Sequence, residues 1–263
     1  MKMNVLCWKG NPLKNIVRLI AVVCVAVLAG AGVTFAQTAD VTATSTFTIQ
    51  PGGKATISYE AFCLDFGPKF PATVKAPNCV AAPELQNAMY YALTKGYQSS
   101  QPLELQYAIW ELRGAQNTPK SGATAAEIKA ATTTAPALAG TSVLDAVRDN
   151  KVKLTLDSWE PIGDKVNLGG ASDHFYGKGQ LTLENTLQES LTLAMPVGTI
   201  FQTPDSSSQN MASYATAVQV NNPASQLPQT GALDSNPSLL ALAAGVYFIL
   251  AALGIKRFLR SHS

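Results

Sequence analysis

Few side chains in this sequence can make or break covalent bonds. Four cysteines are present, Cys7, Cys24, Cys63 and Cys79. The first two lie in an N-terminal stretch read below as a leader, which leaves Cys63 and Cys79 in the body. Two cysteines in an exported chain point to a disulfide. A Cys63–Cys79 bond would close a short loop containing Gly67, Pro68, Pro71 and Pro77, contributing about 3 kcal/mol on the chain-entropy model. The histidines are His174 and His262. One body histidine with scattered acids makes neither a zinc ligand set nor a Ser-His-Asp triad. No Gly-rich phosphate loop is present, and Glu84, Glu104 and Glu111 read as surface positions of helices. No metal, no cofactor and no enzymatic activity is expected.

The elements that must position these residues fall into three zones. From Val41 to Glu60, alternating apolar and polar residues predict two strands joined by a turn at Pro51-Gly52-Gly53. From about residue 64 to 150 the period becomes helical. PELQNAMYYALTKG and PLELQYAIWELRG each carry Pro near the first turn and Gly past the end. TAAEIKAA and TSVLDAVRDN are shorter candidates, the second with Thr141 or Ser142 as its cap. In the second long helix Leu105, Ala108, Ile109 and Leu112 form an apolar stripe, which leaves Gln106 toward a boundary. From Lys151 to Val220 strands return, in VKLTLDSW, GQLTLENT, ESLTLAM, GTIFQ and YATAVQV, and DHFYGKG reads as a loop. A helical domain could precede a separate small β-domain. The preferred reading is one discontinuous α+β domain over 37–222. In it the strands of 41–63 and 151–220 complete an antiparallel β-sandwich, and 64–150 is a helical insert. The N-terminal strand pair is too small to stand alone.

Both ends read as delivery signals. Lys2, Lys9, Lys14 and Arg18 precede the short apolar run Leu19–Ala31, and Thr34-Phe35-Ala36 supplies small residues for cleavage between Ala36 and Gln37. That pattern is a secretory signal peptide over 1–36. Near the other end, residues 223–231 form a polar linker that closes on Leu227-Pro228-Gln229-Thr230-Gly231. Leu239 to Ile255 is a run of 17 apolar or small residues, followed by Lys256, Arg257 and Arg260. The run is just long enough for a transmembrane helix, and the basic residues would stay cytoplasmic, with the body outside. Four of the 19 Lys+Arg lie in 1–36 and three in 231–263, leaving 12 against 16 acids in the body. With an acidic body a nucleic-acid-binding role loses its only support, and none is expected.

The order of pentapeptide, apolar span and basic end resembles the LPxTG sorting signal of Gram-positive surface proteins. The resemblance implies that a membrane sortase cuts between Thr230 and Gly231. It would then join the Thr230 carboxyl to an amine of the peptidoglycan or its precursor, leaving a secreted, cell-wall-anchored protein. Pro228 suits the role, since it fixes its own φ and keeps Leu227 extended for an enzyme groove.

A second resemblance covers about residues 55–112. Phe62-Cys63-Leu64-Asp65, then a helical stretch, then Gln106-Tyr107-Ala108-Ile109-Trp110 is similar to the Cys–Gln thioester domains of Gram-positive surface adhesins. Leu105 stands where that family usually has Thr. The resemblance implies that Cys63 supplies the sulfur and Gln106 the acyl group of an internal thioester open to attack by an amine of a host or partner surface protein. Trp110, one helical turn past Gln106, would shield the bond from water. Asp65 or Tyr107 would assist proton transfer. A Cys63–Cys79 disulfide would exclude the thioester and leave a structural or ligand-binding surface protein.

Overall fold

A computed structural model describes residues 37–40, 46–168 and 170–223. The chain divides into two units at Pro223/Ala224, and all described residues belong to the first. The stretch read as a signal peptide, up to Ala36, the LPQTG pentapeptide and the run from Leu239 to Ile255 lie outside the described residues. Among the described residues no helix is long and apolar enough to cross a membrane.

The unit is mixed α+β with mostly antiparallel sheets. In chain order its strands are β1 (Gln37–Asp40), β2 (Thr46–Ile49), β3 (Lys54–Cys63), β4 (Cys79–Val80), β5 (Thr141–Ser142), β6 (Val152–Pro161), β7 (Tyr176–Asn185), β8 (Leu191–Ala194), β9 (Thr199–Phe201) and β10 (Met211–Asn221). Five helices fall between β4 and β6. They are α1 (Pro83–Thr94), α2 (Tyr97–Ser100), α3 (Pro102–Leu112), α4 (Ala123–Ala130) and α5 (Val143–Arg148). The larger sheet runs β4-β9-β10-β3-β7-β6, with β1 also on β10. The smaller runs β2-β8-β5, where β5 pairs parallel to β8. N-terminal strands thus pair with C-terminal ones.

Local signals account for the long elements. Strand β7 alternates strictly, with Leu181 and Leu183 inward and Lys178 and Gln180 outward. It starts at Tyr176, so the last four residues of the segment read as loop, DHFYGKG, are strand. The helices α1 and α3 begin on Pro83 and Pro102, where a missing N–H costs nothing. Gly114 (φ 77°) ends α3. Its N–H bonds Glu111 O at 2.9 Å and the Ala115 N–H bonds Trp110 O at 2.9 Å, a Schellman closure. Helix α4 has no capping side chain of its own. Glu104 on α3 supplies one, accepting from the N–H groups of Gly122 and Ala125. Ser142 caps α5 through the Leu144 N–H.

The turn at Pro51-Gly52-Gly53 does not close a local pair. It carries the chain from β2 in the small sheet to β3 in the large one. Asn185, buried at the end of β7, pins the two sheets by donating to Ile49 O at 3.0 Å and to Glu189 O at 2.8 Å.

Candidate functional site

Cys63 is the last residue of β3, at the end where α3 crosses the sheet. Along most of β3 one residue in two is buried, but Ala61, Phe62, Cys63 and Leu64 are buried in succession. The helix covers the face that would otherwise meet solvent. On α3, Leu105 through Trp110 are all buried. Gln106 is therefore not at a boundary, as the helical stripe alone suggested; its exposure is 0%. The amphipathic pattern of a single helix cannot reveal that a strand end lies over its polar flank.

The Gln106 carboxamide is spent on Cys63. The Cys63 N–H donates to Gln106 Oε1 at 2.9 Å, and Gln106 Nε2 donates to the Cys63 carbonyl at 2.7 Å. Two bonds between the same groups fix the carboxamide plane against the backbone of the cysteine. The Cys63 N–H is shared, since it also reaches Phe175 O at 2.9 Å. The thiol is free. Its Sγ donates to the backbone carbonyl of His174 at 3.8 Å. Burial pushes the Cys63 thiol well above its ordinary value of 9.0, the Asp65 charge adds to that, and the Ser172 hydroxyl opposes it.

A Cys63–Cys79 disulfide is not formed. Cys79 lies on β4, at the far side of β9 and β10 from β3. Three strand spacings of about 4.8 Å put roughly 14 Å between them, twice the reach of a disulfide. Proximity in sequence misled here because the intervening loop crosses the sheet.

The remaining candidates are placed as follows. Trp110 is 1% exposed and meets Phe66 edge-on at 5.0 Å and Tyr107 at 6.0 Å, so three aromatic rings wall this end of α3. Asp65 is taken by Arg113 at 3.1 Å. Tyr107 is buried, and burial raises its phenol above the ordinary value, which makes it a poor base. His174 turns its ring toward Phe70, at 5.6 Å; its backbone carbonyl, not its ring, serves Cys63. Glu84 is exposed, Glu104 caps α4, and Glu111 pairs with Lys129. A cavity of about 220 Å³ opens between Leu64, Ala81, Leu85, Leu112, Arg113 and Ile200, beside the residue that follows Cys63. Among the described residues no group of three His, Cys, Asp or Glu side chains is placed to hold a metal ion.

Sequence reasoning missed Ser172 and Gln209, both buried. The Ser172 hydroxyl donates to the same His174 carbonyl as the thiol, and Gln209 Nε2 donates to Ser172 Oγ at 3.2 Å and to Pro68 O at 3.1 Å. Both lie in irregular segments without periodicity. Ser172 follows by two positions a glycine, Gly170, at which a Cβ would fall 2.8 Å from Gly67 Cα. No protein-family model, curated protein or solved structure matches this chain.

Proposed function

We infer that this chain is a secreted, cell-wall-anchored surface protein that attaches covalently to amines through a Cys63–Gln106 thioester. The observation that carries the covalent part is the paired carboxamide: Gln106, at 0% exposure, is held by two hydrogen bonds to the backbone N–H and carbonyl of Cys63, a buried residue whose thiol is free. Bond formation places Cys63 Sγ on Gln106 Cδ. The C–N bond breaks and the thiol proton leaves with the nitrogen as ammonia. An incoming amine then attacks the same carbon, the C–S bond breaks, the thiol is restored and an amide remains on Gln106. The Cys63 N–H, 2.9 Å from Oε1, is a preset donor for the charge that develops on that oxygen. Burial beside Trp110 and Phe66 keeps water from the bond.

A mixed α+β body with mostly antiparallel sheets fits the role; in this reading it is a discontinuous antiparallel sandwich placed in the chain between a signal peptide and a C-terminal membrane helix. The anchoring part rests on the order of LPQTG, apolar span and basic end. Its partners are a sortase, the peptidoglycan or its precursor at Thr230, and a host or surface-protein amine at Gln106. No enzymatic turnover and no nucleic acid is involved.

Intact mass of the protein, with and without methylamine, tests the thioester. The expected product is lighter than its sequence by one ammonia and takes up one methylamine, and Cys63→Ala and Gln106→Glu both abolish uptake. Full sequence mass with no methylamine uptake would sink the reading. Cell-wall digests test the anchor: a wall fragment joined to Thr230 is expected, and recovery of the whole hydrophobic tail in detergent extracts would refute it.

A further inference from the structure

We propose that Ser172, oriented by Gln209, stabilises the Cys63 sulfur as an anion whenever the thioester forms or opens. This inference rests on the thioester reading above. The Cys63 thiol faces an unfavourable environment for ionisation: it is buried, and Asp65 adds a like charge. Asp65 cannot act as its base, since Arg113 holds that carboxylate. A buried thiolate needs a donor that can turn toward it.

Ser172 is placed for this. In the neutral state both Cys63 Sγ and Ser172 Oγ donate to the carbonyl of His174, so sulfur and hydroxyl converge on one acceptor. When the thiol loses its proton, the Ser172 O–H can rotate from the carbonyl to the sulfur. Its oxygen stays anchored by the Gln209 Nε2 donor at 3.2 Å. The hydroxyl keeps its own proton throughout. In thioester formation the sulfur's proton departs with the ammonia, and in aminolysis the amine returns one to the sulfur.

The loop that carries Ser172 is clamped rather than loose. Ala171 N–H bonds Gly67 O at 2.9 Å, and Gln209 ties back to Pro68. Gln209 and Ser172 are 1% and 6% exposed. Gln209 Oε1 is buried with no hydrogen-bond partner, a cost borne where the other end of the same amide positions the hydroxyl.

The test compares the full chain with its Ser172→Ala, Ser172→Thr and Gln209→Met variants, following ammonia loss by intact mass and methylamine uptake against pH. Removing the donor is expected to slow methylamine uptake by roughly 10-fold to 1,000-fold and to move its pH dependence upward. Ser172→Thr, which keeps a hydroxyl, restores uptake. Gln209→Met leaves the hydroxyl but loosens it, and carries the same test if Ser172→Ala does not fold. Folded Ser172→Ala or Gln209→Met with wild-type uptake and an unshifted pH profile would overturn the role of Ser172 alone. A wild-type chain that loses no ammonia and takes up no methylamine would overturn the thioester reading and this inference together.

Discussion

Two of the side-chain contacts made by the helical segment differ in nearly every physical respect. At the end of β3, Gln106 binds the Cys63 backbone through two bonds with no exposure to solvent. On the outer side, Glu127 of α4 accepts from the hydroxyls of Tyr91 on α1 and Tyr97 on α2, with all three groups in water's reach. The exposed cluster competes with water for every bond, so its net contribution is small. The buried pair has no such alternative. Losing one partner strands the other in an apolar site, and the same isolation would shelter the proposed thioester from water.

The largest effect expected from breaking this contrast comes from the wall of the buried site. Trp110→Ala removes a fully buried indole against Phe66 and is expected to cost about 3–5 kcal/mol, read from the urea midpoint. It should also hasten hydrolysis of any thioester, read as regain of mass by one water.

A smaller effect is expected from pH, measured in Gln106→Ala so that Cys63 keeps its thiol. The folded thiol titrates above the ordinary value of 9.0 because it is buried. The unfolded chain therefore ionises first. Stability attributable to the neutral thiol is complete below about pH 9 and is lost as pH climbs toward the folded value. Urea midpoints at pH 8 and pH 10 should converge when Cys63→Ala is added; an undiminished pH dependence in the double variant would assign it to other groups.

The smallest effect is expected at the exposed cluster. Glu127 lies below its ordinary value chiefly through the Tyr91 bond, and Tyr91 is pushed up to about 12 by the same contact. Glu127→Gln keeps acceptor capacity and should leave the melting temperature unchanged within error at neutral pH. A large loss there would mean that the two contacts differ less than their burial implies.

Much of the fold was legible locally. Pro83, Pro102, Gly96 and Gly114 bracket α1 and α3, Ser142 caps α5, and the alternation in QLTLEN marks β7. These signals act within one turn or one strand. What escaped were the short strands β4 and β5, the separation of β2 from β3, and the start of β7. Two-residue strands carry no period, and pairing between strands far apart in the chain, from Thr141 with Leu193 to Thr46 with Ala194, leaves no local trace. The site divides the same way. Cys63 and Gln106 could be singled out from the sequence, whereas Ser172 and Gln209 come from irregular segments near the close approach of Gly67 and Gly170.

The amino-acid sequence alone determined the helical and strand periods, the acidic body between two apolar ends, and a short list of groups able to do covalent chemistry. Only the tertiary structure decided which of those groups meet. It set Cys79 three strands from Cys63 and placed Gln106 against it with water excluded. Strand order and burial depend on contacts between residues far apart in the chain, which no local pattern encodes.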